Sequence, residues 1–232
     1  MANRPIFIAT SMPGRFVQEV SLAFAWNPGF SVTQKKKNIV ALHEAAREKG
    51  LTPILEVSTK SEELLGQRLS AFSLRLDTPV GEITIESAFQ GSKVFEGGGP
   101  YRDLYTLDSR AAKTDDRLRS SGRLIGFDFF GQSWPLEPKT SFYDWLYLTA
   151  LRPHKEFLKR LYRYKGFSDI EFNPERSINC QARTCALLVS LLKLGLLDNA
   201  LLSQEDFISL VKSDSYSQPH SSSPVQQTFI DD

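Results

Sequence analysis

Apolar and polar positions alternate with period two over RPIFIAT (residues 4–10) and VQEVSLAFAW (17–26), which predicts two strands. Asn27-Pro28-Gly29 closes the second with a turn signal. Ser31 and Gln34 fit a capping box, and the period then changes to that of a helix over QKKKNIVALHEAAREKG, with Ile39, Leu42, His43 and Ala46 on its inner side. On that apolar side His43 reads as a packed histidine rather than a catalyst. TPILEVS (52–58) predicts a third strand, running into the polar cluster Thr59, Lys60 and Ser61. Residues 70–85 read as a hairpin around Asp77–Gly81 that feeds a helix beginning at Glu86. Helical stretches follow over 100–105 and 109–119, then a buried strand over 124–131, a loop carrying Trp134, and a long amphipathic stretch from Lys139 that Pro153 divides. A short strand at 168–172, the mostly apolar helix INCQARTCALLVSLLKLGLL and a last helix capped by Ser203 complete the order.

This order predicts an α+β chain, predominantly helical. From Ser213 onward Ser, Gln and Pro replace apolar residues, which predicts a flexible tail over 213–232 that includes His220. A hydrophobic fraction of 41% is ordinary for a globular chain of 232 residues. The net charge of +1 excludes the broad basic footprint of a non-specific DNA coat, while leaving room for a few local phosphate contacts. Cys180 and Cys185 are five apart in one expected helix and point to different sides, so neither a disulfide nor a metal pair is expected. The three histidines are scattered, and neither a metal nor a cofactor is expected. No apolar run is long enough to span a bilayer, no signal-peptide core opens the chain, and the cytoplasm is the expected compartment.

Candidate chemistry concentrates in ESAFQGSKVFEGGGP (86–100). Numbered as a helix, Glu86, Gln90 and Lys93 fall at i, i+4 and i+7, within roughly a quarter turn of one another. Ala88, Gly91 and Ser92 make the opposite face small enough for another element to approach closely. Gly97, Gly98 and Gly99 are expected to stop this helix, or to cradle a pyrophosphate on bare amides. Spacing alone favours the plainer reading, a solvated Glu/Lys face worth a few tenths of a kcal/mol. Lys35, Lys36 and Lys37 oppose the dipole of their helix, as a plain surface patch or as phosphate contacts.

LSAFSL (69–74) followed by ESAFQGSKVF (86–95) resembles the NADAR family, whose members carry an FSNF-like segment and then an EHxFQxxK-like motif. Glu86, Phe89, Gln90 and Lys93 match the second motif, with Ser87 where the family has His. Phe72 matches the first, and reading it as xSxF places its Ser at Ser70. The resemblance covers residues 66 to about 195. The preceding part, with GFSVTQKKKNIVALH and LEVSTKS, resembles the extension of members paired with DarT-type DNA ADP-ribosyltransferase toxins. The Asp-x-x-Trp-Gly signature of many members is missing after Phe172, and Asn179-Cys180-Gln181-Ala182-Arg183 stands in its place. The implied organisation is an N-terminal extension over 1–65, a NADAR-like catalytic core over 66–212, and the tail.

The resemblance implies removal of ADP-ribose from guanine bases of DNA, by a chain acting as antitoxin to such a toxin. Its expected partners are ADP-ribosylated DNA and a DarT-type toxin, with no membrane. A lysine amine can attack the anomeric carbon and pass through a Schiff base, provided that its pKa falls several units from about 10.4. That role goes to Lys93, with Glu86 moving protons. Substrate contacts are expected from Ser70, Phe72, Gln90, Trp134, Tyr143 and Asp144: Phe72 or Trp134 stacking on a base, Asp144 orienting a ribose hydroxyl. Lys36 and Lys60 are expected at phosphates. An N-glycosidase for a small ribosylated metabolite and a non-catalytic immunity protein that binds the toxin are the alternatives.

Overall fold

The computed structural model describes residues 1–175 and 177–213. The tail expected at the C-terminus, with His220, lies outside the described residues apart from the backbone of Ser213.

The alternating N-terminal segments form a long antiparallel hairpin, β1 (Ala2–Met12) with β2 (Arg15–Phe24). Helix α1 (Val32–Glu48) covers one face of it. Half of the expected capping box forms: the Ser31 hydroxyl accepts from the Gln34 N–H, while Gln34 Oε1 has no partner among the described residues. Ile39, Leu42 and Ala46 are buried with Ile6, Leu22, Phe24 and Ile54 in a small separate core. Strand β3 (Ile54–Glu56) and helix α2 (Leu64–Arg68) follow, then the hairpin β4 (Arg75–Thr78) and β5 (Gly81–Thr84). Next come α3 (Ile85–Gly91), β6 (Lys93–Phe95), a 3-10 turn (Arg102–Thr106), α4 (Ser109–Thr114), α5 (Arg117–Ser120), β7 (Leu124–Phe129) and β8 (Gln132–Trp134). The remainder is α6 (Ser141–Leu151), α7 (Lys155–Leu158) between two 3-10 turns, β9 (Gly166–Ser168), α8 (Gln181–Lys193), α9 (Leu197–Ala200) and α10 (Gln204–Ser213).

Three sheets result, ordered β2-β1-β9-β3, β4-β5 and β6-β7-β8. In the first, β9 pairs antiparallel with β1 and parallel with β3, so a strand from far along the chain lies between two N-terminal ones. The residues expected to form an extension therefore share a sheet with the rest. The main core joins Phe7 and Phe16 of the hairpin to Phe89, Phe127, Phe142, Tyr147 and the buried face of α8.

The expected α+β class holds, as a mixed domain with 45% helix and 23% strand among the described residues. The sequence reading missed β8, and its strand over 124–131 ends at Phe129. Phe130 (φ 51°) and Gly131 (φ 89°) both have positive φ and turn β7 into β8 as a two-residue hairpin loop. A Phe at the first such position carries none of the usual Asn-Gly signal. Among the described residues no helix is long and apolar enough to cross a membrane.

Candidate active site

Helix α3 follows directly on β5, and Thr84 makes the join. Its hydroxyl accepts from the Ser87 N–H at 3.1 Å and from Ser109 Oγ at 2.7 Å, so one residue caps α3 and ties it to α4. Such a cap contributes about 1 kcal/mol. All seven residues of α3 are buried. The small face is gripped as the composition suggested: a Cβ on Gly91 would lie 2.6 Å from the Tyr105 ring, and Ser92 Oγ meets Tyr105 Oη at 3.0 Å.

Lys93 is not on the helix. The helix ends at Gly91, the Ser92 carbonyl accepts from the Asp128 N–H at 2.7 Å, and Lys93 opens β6 opposite Phe127. Val94 and Phe95 favour a strand, and pairing with β7 satisfies backbone groups that another helical turn would have left to itself. The three glycines accordingly do not stop the helix. Gly98 bridges back to Phe95, and Gly99 (φ 91°) crosses so close that a Cβ there would lie 2.3 Å from the Lys93 carbonyl oxygen. Only glycine fits this crossing, which holds the first residue of β6 in place.

From these two elements Glu86, Gln90 and Lys93 still converge. Gln90 Nε2 donates to Glu86 Oε1 at 2.8 Å, and Lys113 Nζ from α4 stands 3.9 Å from the same oxygen. Gln90 is buried, and its Oε1 has no hydrogen-bond partner among the described residues. An orphaned buried carbonyl costs about 1–3 kcal/mol, which a ligand donor would recover. The Lys93 side chain is only 2% exposed, with Nζ 5.1 Å from the centroid of the Phe89 ring. Burial pulls this amine down to about 7; the Glu86 carboxylate draws it back up, and the Lys113 ammonium adds to the lowering. A large uncharged fraction is then present at neutral pH. Tyr143 packs edge-on to Phe89 at 5.4 Å, and burial followed by the field of Glu86 pushes its phenol well above the usual range, so it stays a neutral donor. Phe72 is 40% exposed, with Lys113 Nζ 5.4 Å from its ring centroid.

The other residues singled out from the sequence divide. Ser70 is buried in the turn that presents Phe72; its Oγ accepts from the Phe72 N–H at 3.3 Å and its carbonyl from Ser73 and Leu74. It holds the turn. Trp134 lies in β8, not in a loop, and is 2% exposed between Phe142 and Trp145, so its face is not open to a base. Asp144 is buried too: it accepts from Thr140 Oγ1 at 2.7 Å and Thr184 Oγ1 at 2.5 Å, and pairs with Arg183 at 3.3 Å. Its oxygens fasten α6 to α8, which leaves little for a ribose hydroxyl. Lys36 lines a different groove, of about 470 Å³ on α1, where Glu44 and Glu62 make a poor setting for phosphate. Lys60 gives its amine to Thr59 Oγ1 at 2.7 Å. Among the described residues no group of three or more His, Cys, Asp or Glu could hold a metal ion.

A family model described as a DarT1-associated NADAR antitoxin matches residues 2–221. The chain belongs to this family. The match runs through the N-terminal hairpin as well as the Glu86–Lys93 segment, and so takes in all three sheets. No protein with a curated description matches the chain.

Two residues of this NADAR chain went unnoticed in its sequence. Lys113 lies in the helical stretch 109–119, in which no residue is singled out by the sequence. Gln181 belongs to the segment standing where the late family signature is missing, and its Oε1 accepts from the Ala71 N–H at 2.8 Å. The start of α8 thereby pins the turn that carries Phe72. The oddity of that segment against the family pattern was the only available signal.

Proposed function

We propose that this chain is a glycohydrolase that removes ADP-ribose from guanine bases of DNA, and so reverses the modification made by a DarT-type toxin. The observation that carries this reading is a buried lysine amine held near neutrality beside a carboxylate and under an aromatic face. Membership of an antitoxin family supplies the biological setting.

In this mechanism the Lys93 lone pair attacks the anomeric carbon of the ribose attached to the base. The carbon–nitrogen bond to guanine breaks, and its electron pair leaves with the base. The proton released by the attacking amine passes through Glu86 to that base. The sugar ring then opens: its ring oxygen takes a proton and the lysine nitrogen forms a Schiff base with the former anomeric carbon. Water adds to that carbon, the amine departs, and ADP-ribose is free. Lys113 keeps the amine from charging too readily, Tyr143 donates a hydrogen bond from its neutral phenol, and the orphaned Gln90 carbonyl awaits a donor of the substrate.

Borohydride added during turnover of an ADP-ribosylated oligonucleotide is the test. The expected product is a covalent ADP-ribosyl adduct mapped by mass spectrometry to Lys93. Wild-type turnover by Lys93→Ala would remove the lysine from the reaction.

A further inference from the structure

A groove of about 480 Å³ lies beside the site, and nothing in the mechanism above uses it. It is lined by Phe72, Arg75, Thr84, Leu107, Asp108 and Arg110 among others. Two of these residues join it to the reacting groups. Phe72 stacks with Lys113, which reaches Glu86, and Thr84 caps the helix that carries Glu86 and Gln90. We propose that this groove holds the single nucleic-acid strand flanking the modified base. The proposal rests on the reading of Lys93 as the group that attacks the sugar.

Three observations favour a strand. First, the charge of the groove is positive in effect. Two guanidiniums, of Arg75 and Arg110, stand against the Asp108 carboxylate, whose Oδ1 caps α4 by accepting from the Arg110 and Ala111 N–H groups at 2.9 and 3.1 Å. Arg75 and Arg110 are exposed, and no ion pair among the described residues involves either guanidinium. Neighbouring arginines differ: Arg102, Arg117 and Arg123 are each paired with acids. Second, Phe72 and Leu107 are 40% and 41% exposed in the same groove. Unpaired cations interleaved with open apolar faces are the combination that takes a backbone and its unstacked bases. Third, an amine 2% exposed cannot reach a sugar buried in a stacked duplex, so the substrate must arrive single-stranded or flipped out. The groove gives the nucleotides next to that base somewhere to lie.

Phosphates and an aromatic base also describe the ADP half of the substrate, and one comparison separates the two sources. The wild type and the double variant Arg75→Ala, Arg110→Ala are each given an ADP-ribosylated single-stranded oligonucleotide and ADP-ribosylated guanosine, which has no flanking strand. With a strand in the groove, the variant loses roughly tenfold or more in kcat/KM on the oligonucleotide and less than about twofold on the nucleoside, and its dependence on salt becomes shallower. Equal losses on both substrates would place the ADP half in the groove and overturn the proposal. No loss on either would overturn it as well. Should the wild type turn over neither substrate, the reading of Lys93 fails separately. Fluorescence anisotropy with an unmodified labelled single-stranded octamer then decides the groove, tighter binding by the wild type than by the variant being the supporting result and equal binding the opposing one. Arg110→Gln alone serves if the double variant does not fold.

Discussion

Two buried polar clusters in this protein invite comparison. One is Glu86, Gln90, Lys93 and Lys113. The other lies under α1, where Glu56, Ser168, Asp169 and His43 meet. In the second, Ser168 Oγ donates to Glu56 Oε2 at 2.5 Å, Glu56 Oε1 accepts from the Ile170 N–H at 2.9 Å, and His43 Nε2 lies 2.8 Å from Ser168 Oγ. Burial pushes both Glu56 and Asp169 up and holds His43 down to about 4. By displaced pKa values alone this cluster is as conspicuous as the first. Yet no buried polar atom of Glu56, Ser168 or Asp169 lacks a partner among the described residues. The first cluster has an orphaned carbonyl on Gln90, a half-open aromatic at Phe72 and a groove alongside. Perturbed titration marks burial; an unfinished hydrogen-bond set next to open space marks a place for a ligand.

The largest effect that could break this contrast is at Lys93. Lys93→Ala is expected to lower single-turnover cleavage of ADP-ribosylated oligonucleotide by about 10³-fold or more and to abolish borohydride trapping. Lys93→Met should do the same while raising the thermal midpoint at pH 7. The sign follows from the amine: about 7 folded against about 10.5 unfolded, so the unfolded chain binds more protons between those values. Folded stability therefore rises with pH across that window in the wild type, and the variant loses the slope. Glu86→Gln comes next, with an expected loss of about 10²–10⁴-fold in the chemical step and little change in the urea midpoint.

Lys113→Met removes the cation that helps to lower Lys93. The rising limb of kcat/KM against pH, expected near 7, should move to higher pH, with activity recovered in alkaline buffer. An unmoved limb with a uniform loss would instead make Lys113 purely a binding group. In the closed cluster, His43→Gln should leave turnover within about twofold. It should flatten the acid side of the stability curve: a histidine depressed to about 4 contributes stability present above 6.5 and lost as pH falls from 6.5 towards 4. Glu56 and Asp169, being raised, act in the opposite sense there, so the readout is the difference between variant and wild-type urea midpoints. The smallest effect is expected at Trp134, whose buried Nε1 has no partner among the described residues. Trp134→Phe deletes that orphan and some packing, for a net change within about 1.5 kcal/mol and unchanged kcat/KM.

What could be read in the sequence was local. Helix α1 was legible because its capping hydroxyl lies three residues from the N–H that donates to it and its apolar stripe has helical period. The grouping of Glu86, Gln90 and Lys93 was legible too, although the geometry that produces it was not: Lys93 arrives from a strand rather than from position i+7 of a helix. Strand pairing with β7 overrode the local pattern, and nothing between residues 86 and 93 announces it. Residues whose meaning depends on distant partners were opaque. Gln181 contacts Ala71 across 110 positions, and Lys113 reaches Glu86 from another helix. Asp144 and Trp134 were misread for the same reason. Their partners on α8 and α6 turn a carboxylate and an indole, both of which suit a binding site, into fasteners of the interior.

The placing of β9 between β1 and β3 bears on how the molecule is made. Its first sheet cannot close until residue 168 has left the ribosome, because the strand in the middle is the last to be synthesised. A chain cut off before that point has the hairpin and α1 but no third strand to pair with β1. The antidote would then exist only in near-finished form, and a shortened gene that kept the Glu86–Lys93 segment but discarded the first 65 codons would strip β9 of both neighbours.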